Sequence, residues 1–268
     1  MRIQVLVATM HQTNHQLLNR MNIQSDAIVV NQCDRNDIEQ FDYKGNTIKW
    51  LSLAERGVGL SRNTALMRAS ADIVLFADDD VYYNDNYEKI ICDAFNRYVE
   101  ADAIIFNLTP PEGESGLRSF KNGKRVRFFN AMRYGTVHLA VRLSRLRQEN
   151  ISFSLLFGGG AVYGSGEDTL FIISCLKHRF EIYTCTDYLG GMIARESSWF
   201  RGYNERFLFD KGALFYSVSR VLAKPLCLQL LLRYNKIWKQ NGIGFANAYR
   251  HMKNGIREIS KKTNKSNG

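Results

Sequence analysis

Residues Ile73-Val74-Leu75-Phe76-Ala77-Asp78-Asp79-Asp80 set the class of the whole chain. The first five are apolar and rich in β-branched or aromatic side chains, as in a strand covered on both faces. Three carboxylates follow with no spacer, so a buried strand ends directly in concentrated negative charge. Working outward, similar apolar runs recur at 3–8, 27–31, 47–51 and 103–107. Helical spacing fills the intervals at 15–21, 61–69 and 84–99, with Ser61 and Asn84 placed as N-caps. Covered strands alternating with helices predict an α/β fold, a doubly wound and mostly parallel sheet.

In such sheets ligands bind beyond the carboxyl ends of the strands, which is where Asp78, Asp79 and Asp80 fall. Adjacent carboxylates repel one another and hold protons more tightly unless a cation or hydrogen-bond donors compensate. A hard divalent ion, Mg2+ or Mn2+, is the simplest compensator. Held by one or two carboxylates, it completes its shell with water and phosphate oxygens, which suits a nucleotide diphosphate. The alternative is an acidic turn leading into the helix near Asn84, and the position after a buried strand favours the ion site. Upstream, Arg56-Gly57-Val58-Gly59-Leu60-Ser61-Arg62-Asn63 is a glycine-containing loop entering a helix, where free N–H groups attract anions. Arg62 in that turn is either a diphosphate partner or an ordinary surface arginine. The loop has neither G-x-G-x-x-G nor G-x-x-x-x-G-K, so neither a dinucleotide fold nor a P-loop is indicated.

The second half differs in character. Pro110 and Pro111 precede a stretch with no acid between Leu117 and Gln148, in which Lys121, Lys124, Arg125, Arg127 and Arg133 are interleaved with Phe128, Phe129 and Tyr134. That stretch is either a site for a lipid diphosphate or a charged surface loop. Gly158-Gly159-Gly160 then precede a helix over 167–177 and a strand over 181–185. These glycines either admit a ligand close to the backbone or meet a demand for positive φ. Within Ser165-Gly166-Glu167-Asp168, Asp168 is either a general base or part of a capping box.

Net charge is +10, but twelve Lys/Arg and a single acid, Glu258, lie from Lys211 onward. The first 210 residues are nearly neutral, with 24 basic and 25 acidic side chains, so a diffuse nucleic-acid surface is not indicated. Two faces of the basic helical tail suit an anionic membrane surface. One pairs the apolar stripe Leu226, Leu230, Tyr234, Ile237 and Trp238 with an opposite face of Gln229, Arg233, Lys236 and Gln240; the other is the basic stripe Arg250, Lys253, Arg257 and Lys261. The alternative is a helix packed on the body with a solvated basic side. Five cysteines without C-x-x-C spacing, a strand-like start and no apolar run of about 18 residues predict a reducing compartment and at most peripheral membrane contact. His11 and His15 have the i, i+4 spacing of a zinc pair, yet Gln12 stands where H-E-x-x-H has glutamate, and an exposed helix face is the favoured reading.

The run RGVGLSRNTALMRASADIVLFADDDV, residues 56–81, resembles the inverting glycosyltransferases of family 2, and GSGEDTLF, residues 164–171, resembles their Glu-Asp motif. The resemblance covers roughly residues 1–186 and implies the glycosyltransferase A (GT-A) fold. It implies that Asp78 and Asp80 form the D-x-D pair, with Asp80 the leading metal ligand and Asp79 a further donor contact. Asp34 would meet the nucleobase with Thr9 beside it, Asp168 would be the base, and Glu167, Gly159 and Gly160 would contact donor sugar or acceptor. The implied activity is inverting transfer of a hexose or N-acetylhexosamine from a nucleotide sugar, a UDP-sugar first, to a lipid-linked saccharide of a surface polysaccharide or lipopolysaccharide. The implied cofactor is Mn2+ or Mg2+, and the implied place the cytoplasmic side of the cell membrane. Expected boundaries are a catalytic domain over 1–199, its donor half 1–107 and acceptor half 108–199, and a basic helical region over 200–268. The rivals are a nucleotidyltransferase and a non-catalytic protein that binds a sugar nucleotide or nucleic acid.

Overall fold

The structure is a computed structural model and describes residues 1–111, 119–194 and 202–265. Two compact units are present, Met1–Phe153 with Phe171–Glu196, and Ser154–Leu170 with Ser197–Gly268.

The first unit holds the sheet. Its strands are β1 (Ile3–Met10), β2 (Asp26–Gln32), β3 (Asp37–Tyr43), β4 (Asn46–Leu53), β5 (Ile73–Asp78), β6 (Val81–Tyr83), β7 (Ala103–Thr109), β8 (Leu139–Arg142) and β9 (Ile182–Met192). Their order is β3-β4-β2-β1-β5-β8-β7-β9-β6. The run β4-β2-β1-β5 is parallel throughout. Covering on both faces explains why β1, β2 and β5 are nearly continuous in apolar residues, Val5, Val29 and Leu75 each having 0% exposure. Strands β3, β6 and β8 join antiparallel and were not expected from the apolar runs. β3 is an edge strand with a polar pattern and closes on β4 through Lys44-Gly45, both at positive φ. β8 is only four residues long, too short to show a period, yet it lies between β5 and β7.

Around the sheet lie α1 (Gln16–Arg20), α2 (Val58–Arg68), α3 (Tyr87–Arg97), α4 (Leu143–Gln148) and a 3-10 turn at Phe128–Arg133. Two expected caps are displaced. α2 begins three residues before Ser61, after Gly57 at φ 127°, and Ser61 is buried with its hydroxyl donating to the Val30 carbonyl at 3.4 Å. α3 begins after Asn86, while the Asn84 amide donates to the Tyr188 carbonyl at 3.1 Å. In both cases a long-range acceptor draws away the side chain that local pattern assigned to the helix end. Helix α5 (Glu167–Lys177) enters this unit from Phe171, which packs edge-on against Phe76 at 5.4 Å and stacks on Phe153 at 4.1 Å. Such aromatic pairs add roughly 0.5–1.5 kcal/mol each beyond the area they bury.

The second unit is helical, with α6 (Glu205–Val218), α7 (Ala223–Arg233), α8 (Asn235–Gln240) and α9 (Phe245–Lys265). Helices α6 and α9 touch backbone to backbone. A Cβ on Gly212 would lie 2.0 Å from the Met252 carbonyl oxygen, and one on Gly255 would lie 1.9 Å from that of Phe209. Met252 and Ile259 are buried on that side, while Arg250, Lys253, Arg257 and Lys261 are exposed. Trp238 is 2% exposed, packed on Tyr203 and Phe207, with Leu226, Leu230 and Ile237 half-buried. The apolar stripe read from the sequence therefore faces largely into the helical unit. Among the described residues no helix is long and apolar enough to cross a membrane.

Candidate active site

The parallel register brings separated residues to one level at the carboxyl edge of the sheet. Ala8 pairs with Asp78 across β1 and β5, and Thr9 pairs with Asn31 across β1 and β2. The Thr9 hydroxyl donates to Asp79 Oδ2 at 2.6 Å and accepts from the Gln12 amide at 3.0 Å. Asn31, fully buried, exchanges two hydrogen bonds with the Gln12 backbone, each 2.9 Å. A continuous polar network thus ties the ends of β1 and β2 to the acidic turn.

The three carboxylates have different surroundings. Asp78 Oδ1 accepts from Arg62 Nη2 at 2.9 Å, and Arg62 is 2% exposed, its guanidinium 5.3 Å from the Phe153 ring centre. A charge this buried requires a paired carboxylate, and the cationic partner in turn favours the ionised form of Asp78. Arg62 is therefore neither a surface arginine nor in the first turn of its helix. Asp79 and Asp80 line a cleft of about 340 Å³ together with Gln12, Arg20, Ile193 and Ala194. The Asp80 carbonyl accepts from Ile193 N–H at 2.8 Å, and Val81–Tyr83 continues as a ladder with β9, which pins the acidic turn.

Asp34 lies beyond β2, where its carboxylate accepts from Arg56 at 2.7 Å with 89% of its side chain exposed. Arg56 also donates to the Cys33 carbonyl, and Gln32 accepts from Gly57 N–H at 2.7 Å, so the loop before α2 is fastened to the end of β2.

Among the described residues no group of three His, Cys, Asp or Glu side chains forms a ready-made metal cage. The donor set in the cleft is carboxylate oxygen, suited to Mg2+ or Mn2+, which keep open positions for water and phosphate. His15, the would-be zinc ligand, instead stacks on Phe41 at 4.5 Å and meets Glu39 at 3.2 Å.

Glu167 and Asp168 belong to the second unit, as do Gly159 and Gly160. Gly158 and Gly160 hold φ of 108° and 80°, a sufficient reason for glycine at both, while Gly159 is buried. Glu167 and Asp168 open α5, and Gly166 N–H donates to Glu167 Oε2 at 3.0 Å. The segment before them is held from α6: Asp210 Oδ2 accepts from Gly164 N–H at 2.9 Å, and Lys211 Nζ donates to Ser165 Oγ at 3.3 Å. Burial pushes the Lys211 ammonium's pKa down, opposed by Glu167 and Asp210; burial raises that of Asp210.

The structure thus brings together Thr9, Arg62, Asp78, Asp79 and Asp80 in the first unit, with Asp34 on the neighbouring strand end. Gln12 and Arg20 of the cleft escaped the sequence reading, and so did Asp210 and Lys211. Only the placement of Gln12 three residues past Thr9 offered a local hint.

No family model matches the chain, and no curated protein matches it in sequence. Solved structures do. S. aureus TarS 1-349 in complex with UDP-GlcNAc aligns with a TM-score of 0.61 at 20% identity, over 90% of this chain and 75% of that one. The same TarS 1-349 in complex with UDP gives 0.59 at 18%, over 90% and 74%. The mannosyltransferase PcManGT from Pyrobaculum calidifontis, in complex with GDP-Man and Mn2+, gives 0.51 at 12% identity, over 97% and 75%. At these identities the likeness concerns architecture, and the architecture is a GT-A-like α/β fold, its nine-stranded sheet mostly parallel in the core.

Proposed function

We propose that the protein is a divalent-metal-dependent glycosyltransferase that uses a nucleotide sugar, a UDP-sugar first. The observation that carries this reading is the cleft bearing Asp79 and Asp80, joined through Thr9 to the carboxyl edge of the parallel sheet. It is supported by a fold shared with structures that hold UDP-GlcNAc, UDP or GDP-Man. Asp80 leads the ion site, with Asp78 as second oxygen donor beyond its bond to Arg62, and Asp79 orients through Thr9. The ion, Mn2+ or Mg2+, supplies charge neutralisation to a diphosphate leaving group. Thr9 and Asp34, at the ends of β1 and β2, are assigned to the nucleoside, and Arg62 supports the donor site by fixing Asp78.

Inverting transfer requires a carboxylate that accepts the proton of the incoming hydroxyl, and Asp168 is assigned that role. Glu167, Gly159 and Gly160 are assigned to the sugars. With added Mn2+, slow release of nucleoside diphosphate from UDP-GlcNAc, UDP-galactose, UDP-glucose or GDP-mannose is expected, and loss of that release in excess chelator. A protein that binds nucleotide sugars without turnover would release none from any of them, and a nucleotidyltransferase would liberate pyrophosphate from nucleoside triphosphate instead.

The acceptor assigned is a lipid-linked saccharide of a surface polysaccharide, met at an anionic membrane. Lys224, Leu228, Leu232 and Lys236 follow one another at four-residue spacing from α7 into α8, and Val221 stands one turn before Lys224 at 86% exposure. Leu232 is 68% exposed, and Arg220 and Arg233 flank the row. An apolar ridge with a cationic border suits the headgroup boundary, where each basic residue contributes about 1 kcal/mol. Flotation with phosphatidylglycerol vesicles, but not with pure phosphatidylcholine, is the expected behaviour. Replacing Leu228 and Leu232 together by Glu is expected to abolish it; undiminished flotation of that variant would remove the ridge from the assignment.

A further inference from the structure

We infer that Lys211 is a positioning residue of the proposed transferase, its ammonium holding the start of α5 so that Glu167 and Asp168 keep one orientation. The inference rests on the assignment of Asp168 as base and adds to it a role for the basic helical region that composition alone did not suggest.

Arg206, Asp210 and Leu214 form one row of α6 at four-residue spacing, with Lys211 beside it, and this face reads the segment 162–166 residue by residue. Arg206 Nη2 donates to the Val162 carbonyl at 2.5 Å and its Nε meets Asp210 Oδ1 at 3.0 Å. The other Asp210 oxygen takes Gly164 N–H. Gly166 holds φ of 123°, which L side chains rarely adopt, and a Cβ there would lie 2.6 Å from Leu214 Cδ1, so any other residue would be strained and would displace the Leu214 side chain. Lys211 Nζ completes the row of contacts at Ser165 Oγ and lies 5.1 Å from the Phe207 ring centre.

Removing a lysine ammonium from water is costly unless carboxylates surround it. Those that act on Lys211 are Glu167 at the start of α5 and Asp210 on its own helix. Asp210 also feels Arg206 and, from α9, Glu258, whose carboxylate is bound by Tyr163 and Lys262. A backbone clamp alone needs only Arg206, Asp210 and Leu214. The added cation bonds the Ser165 hydroxyl, three residues before Asp168, and acts electrostatically on Glu167, where its effect is to fix direction and charge.

A positioning role has a signature that a packing role lacks. With whichever nucleotide sugar is turned over in Mn2+, Lys211→Met is expected to lower kcat about 10- to 100-fold, the scale of a small misplacement of reacting groups. Affinity for the nucleoside diphosphate, encoded in the other unit, is expected to stay within about twofold. Removing a nearby cation raises carboxylate pKa values, so the acid limb of the kcat profile is expected to move to higher pH, and Lys211→Arg to return it toward the wild-type position. Should Lys211→Met not fold, Lys211→Gln, which has a shorter stem and keeps a donor without the charge, is read by the same criteria. A neutral variant with wild-type kcat, or an acid limb that stays in place, overturns the inference. If Asp168→Asn is inactive beside such a variant, only the role of Lys211 falls; if Asp168→Asn turns over normally, the parent assignment falls with it.

Discussion

Asp80→Ala is expected to abolish Mn2+-dependent binding of a nucleotide sugar while leaving the fold intact. The backbone carbonyl of this position accepts the Ile193 N–H, and alanine keeps that bond. What disappears is one carboxylate in the cleft. Because a Mg2+ or Mn2+ site of this kind would lean on one or two carboxylates, losing the leading one would remove most of the ion affinity and with it the charge neutralisation offered to a diphosphate. Titration calorimetry with UDP or GDP in Mn2+ is expected to show at least a 100-fold weaker affinity, about 2.7 kcal/mol, falling to the level seen in chelator. Thr9, bound to Asp79, and Gln12, bound to Thr9, are unaffected by the change, so residual binding should be metal-independent. Unchanged affinity in Mn2+ would remove Asp80 from the ion site and leave the acidic turn as a structural device.

Asp168→Asn is expected to separate chemistry from binding. The amide is isosteric with the carboxylate, so the start of α5 keeps its shape. Its negative charge beside the helix N-terminus is lost, which costs about 0.3–1 kcal/mol of stability. Losing the proton acceptor costs far more in rate, roughly 100- to 10,000-fold. The contrast of magnitudes decides between the two roles of this residue. A helix-capping carboxylate would give a slightly lower melting temperature and full turnover. A base would give near-wild-type melting, unaltered donor affinity and almost no transfer.

Much of the acidic edge of the sheet was legible from local pattern. The β1, β2 and β5 runs are continuous in apolar residues because both sheet faces are covered, and a carboxylate cluster directly after such a strand must emerge at the sheet's ligand edge. Asp79 and Asp80 in the cleft follow from that reasoning. Arg62 shows where it stops. Its place near a glycine loop suggested an anion facing outward, yet α2 starts four residues earlier than the Ser61 cap implied, and the guanidinium lies inward on Asp78. Which way such a side chain points is settled by the partners it meets, here Asp78 and the Phe153 ring, and helical periodicity does not show them.

What the sequence alone determined is what short-range physics controls: the alternation of covered strands and helices, the acidic triplet at a strand's carboxyl end, and a basic helical end to the chain. Tertiary structure alone decided which of these residues meet. Thr9 bonds Asp79 across 70 positions and Gly164 bonds Asp210 across 46, and no local periodicity spans such distances. The same holds for the apolar tail stripe, whose Trp238 turned inward because Tyr203 and Phe207 offered it a packed site, leaving Leu228 and Leu232 outside. Burial is a property of partners rather than of position in the chain, so a helix shows in its own spacing while the face it hides is chosen by its neighbours.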